Sequence, residues 1–271
     1  MILMAKVIAV ANRKGGVGKT TTAICLAFFL GRRGKKVLLL DLDPQNALWA
    51  ALCYSGEKGS GASGALELVR GEASARDIVQ TTRLLNVDLI PFGNPESVTH
   101  QDESLFAMPR KRAAFVRVVA SLSKKYDYVI VDSPPGASAL VEFALLLSDS
   151  VVIPLQCQPL ALRIMPRILR DIKELIVSAN PRLTVEGVLL TMYDFWQPIS
   201  HEIADQVWSY FPKKSTFRAV IRKSPAFERI FDSEDNPLLQ EELDEELLDY
   251  DVIADLVVSR EESSAESRKQ P

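Results

Sequence analysis

The stretch Lys14-Gly15-Gly16-Val17-Gly18-Lys19-Thr20-Thr21 follows an apolar run, Val7–Ala11, and opens a helix-like segment, Thr20–Gly31. A glycine-rich loop between strand and helix turns successive backbone N–H groups toward one point. The helix N-terminus adds its partial positive charge there. Such a point binds phosphate. Lys19 falls where it meets the β- and γ-phosphates of a nucleotide, and the Thr20 hydroxyl where it meets Mg²⁺. The pattern G-x-x-x-x-G-K-[ST] misses by one residue, because Arg13 stands where it asks for glycine, and a second lysine, Lys14, guards the loop entrance. Two lysines bracketing Gly-Gly-Val-Gly demand a strand, a phosphate loop and a helix in that order.

The chain then repeats the alternation. Val37–Asp41, the weaker Val87–Pro91, Tyr128–Asp132, Val151–Pro154, Val185–Thr191 and Ser215–Ile221 are apolar runs, with helix-like stretches such as Arg112–Lys125 between them. This predicts an α/β fold: one domain with a mostly parallel, twisted sheet and helices on both faces. Ligands of such folds bind beyond the carboxyl ends of the strands. The phosphate loop, Asp41, Asp43 and Asp132 all fall there. Period-two alternation puts Asp41 and Asp43 on one side, where a carboxylate can orient a water or hold a metal shell. Asp132 ends its strand ahead of Ser133-Pro134-Pro135-Gly136. That is a Walker B arrangement, a carboxylate holding Mg²⁺ through water.

The loop resembles the deviant Walker A motif of the ParA/MinD group of P-loop ATPases, with Lys14 matching the signature lysine. The resemblance covers roughly residues 6–258. It implies that ATP and Mg²⁺ drive a homodimer in which Lys14 reaches the nucleotide of the other subunit. Lys14, Lys19 and Asp43 become the catalytic residues, Asp43 positioning the water. Lys14, Gly15, Gly16, Val17, Gly18, Lys19, Thr20 and Thr21 cradle the nucleotide; Thr20, Asp41 and Asp132 attend the metal. The Pro-Pro-Gly turn resembles a switch that senses the γ-phosphate. Gly187–Asp194 resembles the strand near the base, so Tyr193 or Asp194 falls near adenine or at the dimer edge; an ordinary strand and turn is the alternative. Asn46-Ala47-Leu48-Trp49 departs from the usual Gly-Asn wording.

Net charge is −3, so attraction to nucleic acid or anionic lipid must come from a local patch. Lys213, Lys214, Arg218, Arg222, Lys223 and Arg229 form a basic stretch, followed by an acidic block running from Asp232 to Glu246. A solvated charged face is one reading. The resemblance implies another, a non-specific DNA-binding surface through Arg218, Arg222 and Lys223. The stretch Leu238–Val258 reads as an acidic helix whose Leu243, Leu247, Leu248, Ile253 and Leu256 pack on the core. MinD-like relatives instead end in a basic amphipathic helix that enters the membrane surface, and an acidic one is repelled by anionic lipid. Residues 1–259 are expected to form the domain and 260–271 a polar, disordered tail. Ser55–Gly64 is expected to be a mobile loop and Phe92–Pro109 an irregular stretch. Cys25, Cys53 and Cys157 have no metal-ligand spacing and read as free thiols of a reducing compartment. No apolar run approaches the roughly 20 residues of a membrane span, and the first strand begins too early for a signal peptide.

The expectation is a cytoplasmic, nucleoid-associated ATPase of the ParA type. It binds DNA without sequence preference, positions a plasmid, chromosome or protein complex, and is stimulated by a ParB-like partner. The rivals are a small-molecule P-loop enzyme of the dethiobiotin-synthase-like class, a membrane-associated MinD-like ATPase and an iron–sulfur relative.

Overall fold

The computed structural model describes residues 5–53, 63–94, 97–99, 102–160, 163, 166–167, 170, 173–174, 180–232 and 234–267. Strands β1 (Lys6–Val10), β2 (Val37–Asp41), β3 (Gln80–Thr81), β4 (Val87–Ile90), β5 (Tyr128–Asp132), β6 (Ser150–Gln156), β7 (Thr184–Tyr193) and β8 (Thr216–Arg222) form one sheet. Their order is β3-β4-β2-β5-β1-β6-β7-β8. Every pairing is parallel except that of the short β3 with β4.

Alternation along each strand sorts side chains onto two faces. On β1, Ile8 and Val10 join one core, and Ala9, with Ala11 just past the strand, the opposite one. On β2, Val37 and Leu39 face one way, Leu38 and Leu40 the other. Burial on both faces is why these strands read as continuous apolar runs. Helix α1 (Lys19–Arg32) lies over the first face and is itself buried almost all round. Its outer wall is α9 (Leu248–Ser267); Tyr250, Ile253, Ala254 and Val257 join Phe28, Phe29 and Leu30 in the same core. A buried bond of 2.9 Å joins the Thr22 and Tyr250 hydroxyls, and Arg33 pairs with Asp251 and Asp255. The opposite face carries α3 (Ala65–Arg70), α5 (Pro109–Leu122) and α6 (Ala139–Leu147), with Phe92, Phe106, Phe115 and Phe143 clustered beneath them. Helix α7 (Pro198–Tyr210) covers the β6–β7 end. Short helices α2 (Ala47–Leu52), α4 (Asp102–Leu105) and α8 (Ala226–Arg229) join them, and the described residues between 159 and 174 are helical as well.

Three expectations change. Leu238–Val258 is not one helix: two 3₁₀ turns, Pro237–Leu239 and Glu245–Leu247, precede α9. Asn236 caps the first turn through the Leu238 amide, and Asp244 is drawn to Arg229. Leu247 and Ile253 are buried as expected, whereas Leu248 is exposed. The tail expected from residue 260 is helical to Ser267. The Arg260 guanidinium donates to the Glu186 carbonyl and lies over the Phe217 ring; Glu261 meets the Tyr128 hydroxyl. Within Phe92–Pro109, residues 102–105 form α4, and Pro109 occupies the first turn of α5, where its missing N–H costs nothing. Of the Ser55–Gly64 loop, all but Ser63 and Gly64 lies outside the described residues. Among the described residues no helix is long and apolar enough to cross a membrane. The three cysteines are free thiols.

Close approach explains Gly31 in α1. A Cβ there would stand 2.4 Å from the Leu85 carbonyl oxygen in the turn before β4. Backbone on both sides cannot easily yield. Gly31→Ala should lower stability by roughly 1–3 kcal/mol in a denaturant titration, despite alanine's better helix propensity.

Candidate functional site

The segment from Ala11 to Gly18 crosses the carboxyl end of β1, between β5 and β6. Gly16 and Gly18 take left-handed backbone, φ +68° and +84°, which only glycine adopts cheaply. Anchors hold the loop from both sides. Asn12 Nδ2 donates to the Pro154 carbonyl (2.7 Å), and its Oδ1 accepts from the Lys14 amide (3.0 Å). Thr191 Oγ1 donates to the Val17 carbonyl at 2.9 Å. On the β5 side, the Gly136 amide donates to the Arg13 carbonyl (2.8 Å), and the Ser133 hydroxyl to that of Val10 (2.9 Å). The Pro-Pro-Gly turn thus rests on the loop.

Three carboxylates converge there with different surroundings. Asp41 and Asp132 are paired in register across β2 and β5, and both are fully buried. Asp41 is satisfied: its Oδ1 accepts from the Asp43 amide (2.9 Å) and its Oδ2 from that of Leu48 (3.3 Å). These bonds brace the loop that carries Asp43, and each oxygen keeps a lone pair for the metal shell expected of it. Asp132 is the opposite case, with neither oxygen hydrogen-bonded. Burial pushes its carboxyl up to about 7, with the Asp43 charge in the same direction, while Thr20, Lys19 and the Ser133 amide pull it back. Thr20 lies near enough to favour the charged form without forming a bond of ordinary geometry. Burial lowers Lys19, opposed by the charges of Asp132 and Asp43. An orphaned carboxylate beside a threonine hydroxyl and a phosphate loop fits Mg²⁺, which takes one or two carboxylates together with substrate phosphates.

The two lysines of the loop bond to oxygens of their own chain. Lys19 Nζ donates to the Lys14 carbonyl (3.1 Å), and Lys14 Nζ to Gln156 Oε1 (2.9 Å). Asn46 explains the departure after Asp43. Its φ of +55° is a left-handed position that asparagine tolerates, and its side chain ties the Phe92 amide and Gly93 carbonyl at 3.0 and 2.8 Å. Asn46 thereby does a glycine's backbone work and adds a clamp.

Tyr193 is buried against Phe195, with its hydroxyl 2.6 Å from His201 Nδ1, and Asp194 caps the following turn through the Trp196 amide. Of the basic stretch, Arg218 and Lys223 are exposed. Arg222 is half-buried, with Asp249 gripping its guanidinium through both oxygens at 2.9 and 3.0 Å and Glu245 3.5 Å away. Asn12, Gln156 and Thr191 were missed in the sequence. The signal available for the latter two was their place at the carboxyl ends of β6 and β7, the edge on which the phosphate loop lies.

With this geometry in view, comparison with known proteins is specific. A family model described as an AAA domain matches residues 5–185. The chain is 34% identical over 221 residues to the sporulation initiation inhibitor protein Soj of Bacillus subtilis, covering 82% of this chain and 85% of that protein. It is 35% identical over 219 residues to the chromosome partitioning protein ParA of Caulobacter vibrioides, covering 81% of each. Among solved structures it resembles cobyrinic acid a,c-diamide synthase from Mycobacterium smegmatis with bound ATP analog and magnesium: TM-score 0.78, 28% identity, 96% and 97% of the two chains.

The orphaned Asp132 makes stability and chemistry oppose each other. Because its folded pKa of about 7 lies above the ordinary 3.8, the folded chain holds a proton that the unfolded chain has shed between those values. Its favourable contribution is full below about pH 4 and is lost as pH rises through about 7. Asp132→Asn should therefore stabilise the protein by roughly 1–3 kcal/mol at pH 8 in chelator, and flatten this part of the pH profile. Thermal melts across pH check it; a destabilised Asn variant would contradict it.

Proposed function

Because the chain belongs to the Soj/ParA family of P-loop ATPases, we propose that it is an ATP-dependent dimerising switch that binds DNA without sequence preference and positions a cargo. The observation that carries this reading is the convergence of Lys14, Lys19, Asp43 and Asp132 at the carboxyl ends of adjacent strands, around a loop with two left-handed glycines. The loop amides and Lys19 bind the β- and γ-phosphates of ATP, and Thr20 and Asp132 hold Mg²⁺. When bound, the ion neutralises charge on the phosphate oxygens. Asp43 sits on a loop braced by Asp41, partly exposed, where it orients the attacking water and accepts its hydrogen bond. Lys14 of each subunit reaches the nucleotide of the other, so the triphosphate joins two copies. The Pro134-Pro135-Gly136 turn, bonded to Arg13, relays the presence of the γ-phosphate.

DNA contact falls to Arg218 and Lys223, two exposed cations on and beside the edge strand β8. Pairing two subunits doubles the number of phosphates neutralised and makes affinity steep in both ATP and salt. A ParB-like partner accelerates hydrolysis and releases the dimer. The acidic residues of α9 argue against an anchor in anionic lipid, and a nucleoid-associated location follows from the DNA contact alone. A second reading, a small-molecule amide-forming P-loop enzyme, draws support from the resemblance to the diamide synthase. Turnover stimulated by a metabolite, with no salt-sensitive retention on DNA, would favour it.

Two measurements test the first reading. Lys14→Ala should cut phosphate release by about 10²-fold or more and abolish the dimer seen by light scattering with a non-cleavable ATP analogue, while ADP still binds. Lys223→Ala should weaken DNA binding equally across sequences. It should also make the slope of log K against log salt shallower by roughly 0.9 for each DNA phosphate left without its cation.

A further inference from the structure

Gln156 ends β6 and takes no part in the ATP chemistry proposed for the site, yet its side-chain oxygen lies 2.9 Å from Lys14 Nζ within one protomer. Its backbone is fixed on the frame that fixes the loop. Gln156 pairs in register with Thr191, the Cys157 amide donates to the Thr191 carbonyl (2.8 Å), and Thr191 Oγ1 holds the Val17 carbonyl. The Asn12 bridge to Pro154 adds a tie two residues earlier on the same strand. Acceptor and cation therefore keep one spacing, and the bond does not depend on a floppy neighbour.

We propose that Gln156 is a positioning residue that parks Lys14 inside its own protomer and so sets how much ATP is needed to bring two copies together. The inference rests on the reading in which Lys14 acts across the dimer. To do so, Lys14 must leave Gln156. A neutral amide is suited to this: it holds the ammonium by one hydrogen bond, weaker than a carboxylate would, and does not repel an incoming phosphate. Lys19 follows the same rule, resting on the neutral Lys14 carbonyl rather than on a carboxylate. The γ-phosphate of the partner's nucleotide carries enough charge to win the exchange. A monomer whose lysine was unheld would assemble too readily, and one held by an acid too reluctantly.

Q156L and Q156E test the idea, with dimer formation followed by light scattering as a non-cleavable ATP analogue and Mg²⁺ are titrated. ADP affinity and thermal melts check that each variant folds. Q156L, which lacks the acceptor, should reach half-dimer at about threefold lower analogue concentration or less. Q156E should need at least about threefold more, and that deficit should shrink with added salt, because an ion pair is screened where a packing defect is not. Displacement of the two midpoints in the same direction, no displacement, or a Q156E deficit indifferent to salt overturns the proposal. If Lys14→Ala still dimerises and turns over normally, the trans-lysine reading falls and the parking role with it. If Lys14→Ala fails while the Gln156 variants behave as wild type, only the parking role falls.

Discussion

Parallel hydrogen bonding of β1 to β5 on one side and to β6 on the other is the constraint from which the site follows. It sets Val10 beside Asp132 and Val152, so the residues just past β1 have nowhere to go except the notch between its neighbours' ends. Register matters at the level of single residues. A slip of one on β5 would turn Asp132 away from Asp41 and send its side chain to the opposite face. The flat run of apolar residues on each central strand leaves little freedom for such a slip, since both faces are filled. Precision at the phosphate loop is thus inherited from packing several residues below it.

Much of this was legible beforehand, for physical reasons that differ by element. Buried parallel strands announce themselves as continuous apolar runs, and β1, β2 and β5 lie within a residue of their sequence limits. The loop was legible because its glycines and lysines answer to one chemistry. The two carboxylates on adjacent strands looked alike in sequence and proved unlike in place. Main-chain donors reached Asp41 from its own loop, and nothing in the wording of a strand end foretells that. The pairing of Arg222 is hidden for a related reason: composition separates the basic and acidic blocks, but the fold brings Asp249 back to it. The helix boundary near 248 was misread because capping by Asn236 and the Arg229–Asp244 pair outweigh helix propensity in the acidic stretch. Gln156 and Thr191 became significant only once strand ends were aligned.

The site is built from unequal bargains between charge and burial. Lys19 and Asp132 are each disfavoured by desolvation, and each is partly relieved by the other. That mutual relief keeps two opposite charges in a dry notch without bonding them directly. The arrangement suits a surface that must take up a polyanion and an ion together. Stability given up at one buried carboxylate is returned by the cores on either side of the sheet.

The partnership of α1 with α9 bears on how the chain comes into being. Thr22 and Tyr250 touch across 228 positions of sequence, and the apolar flank of α1 shares its core with the last described helix. The phosphate loop is therefore synthesised well before the helix that walls it. Until α9 emerges, Phe28, Phe29 and their neighbours lack part of their cover, and the nascent chain presents a greasy ridge to whatever meets it. Competence to hold nucleotide thus waits on a segment far down the chain from the loop that binds it.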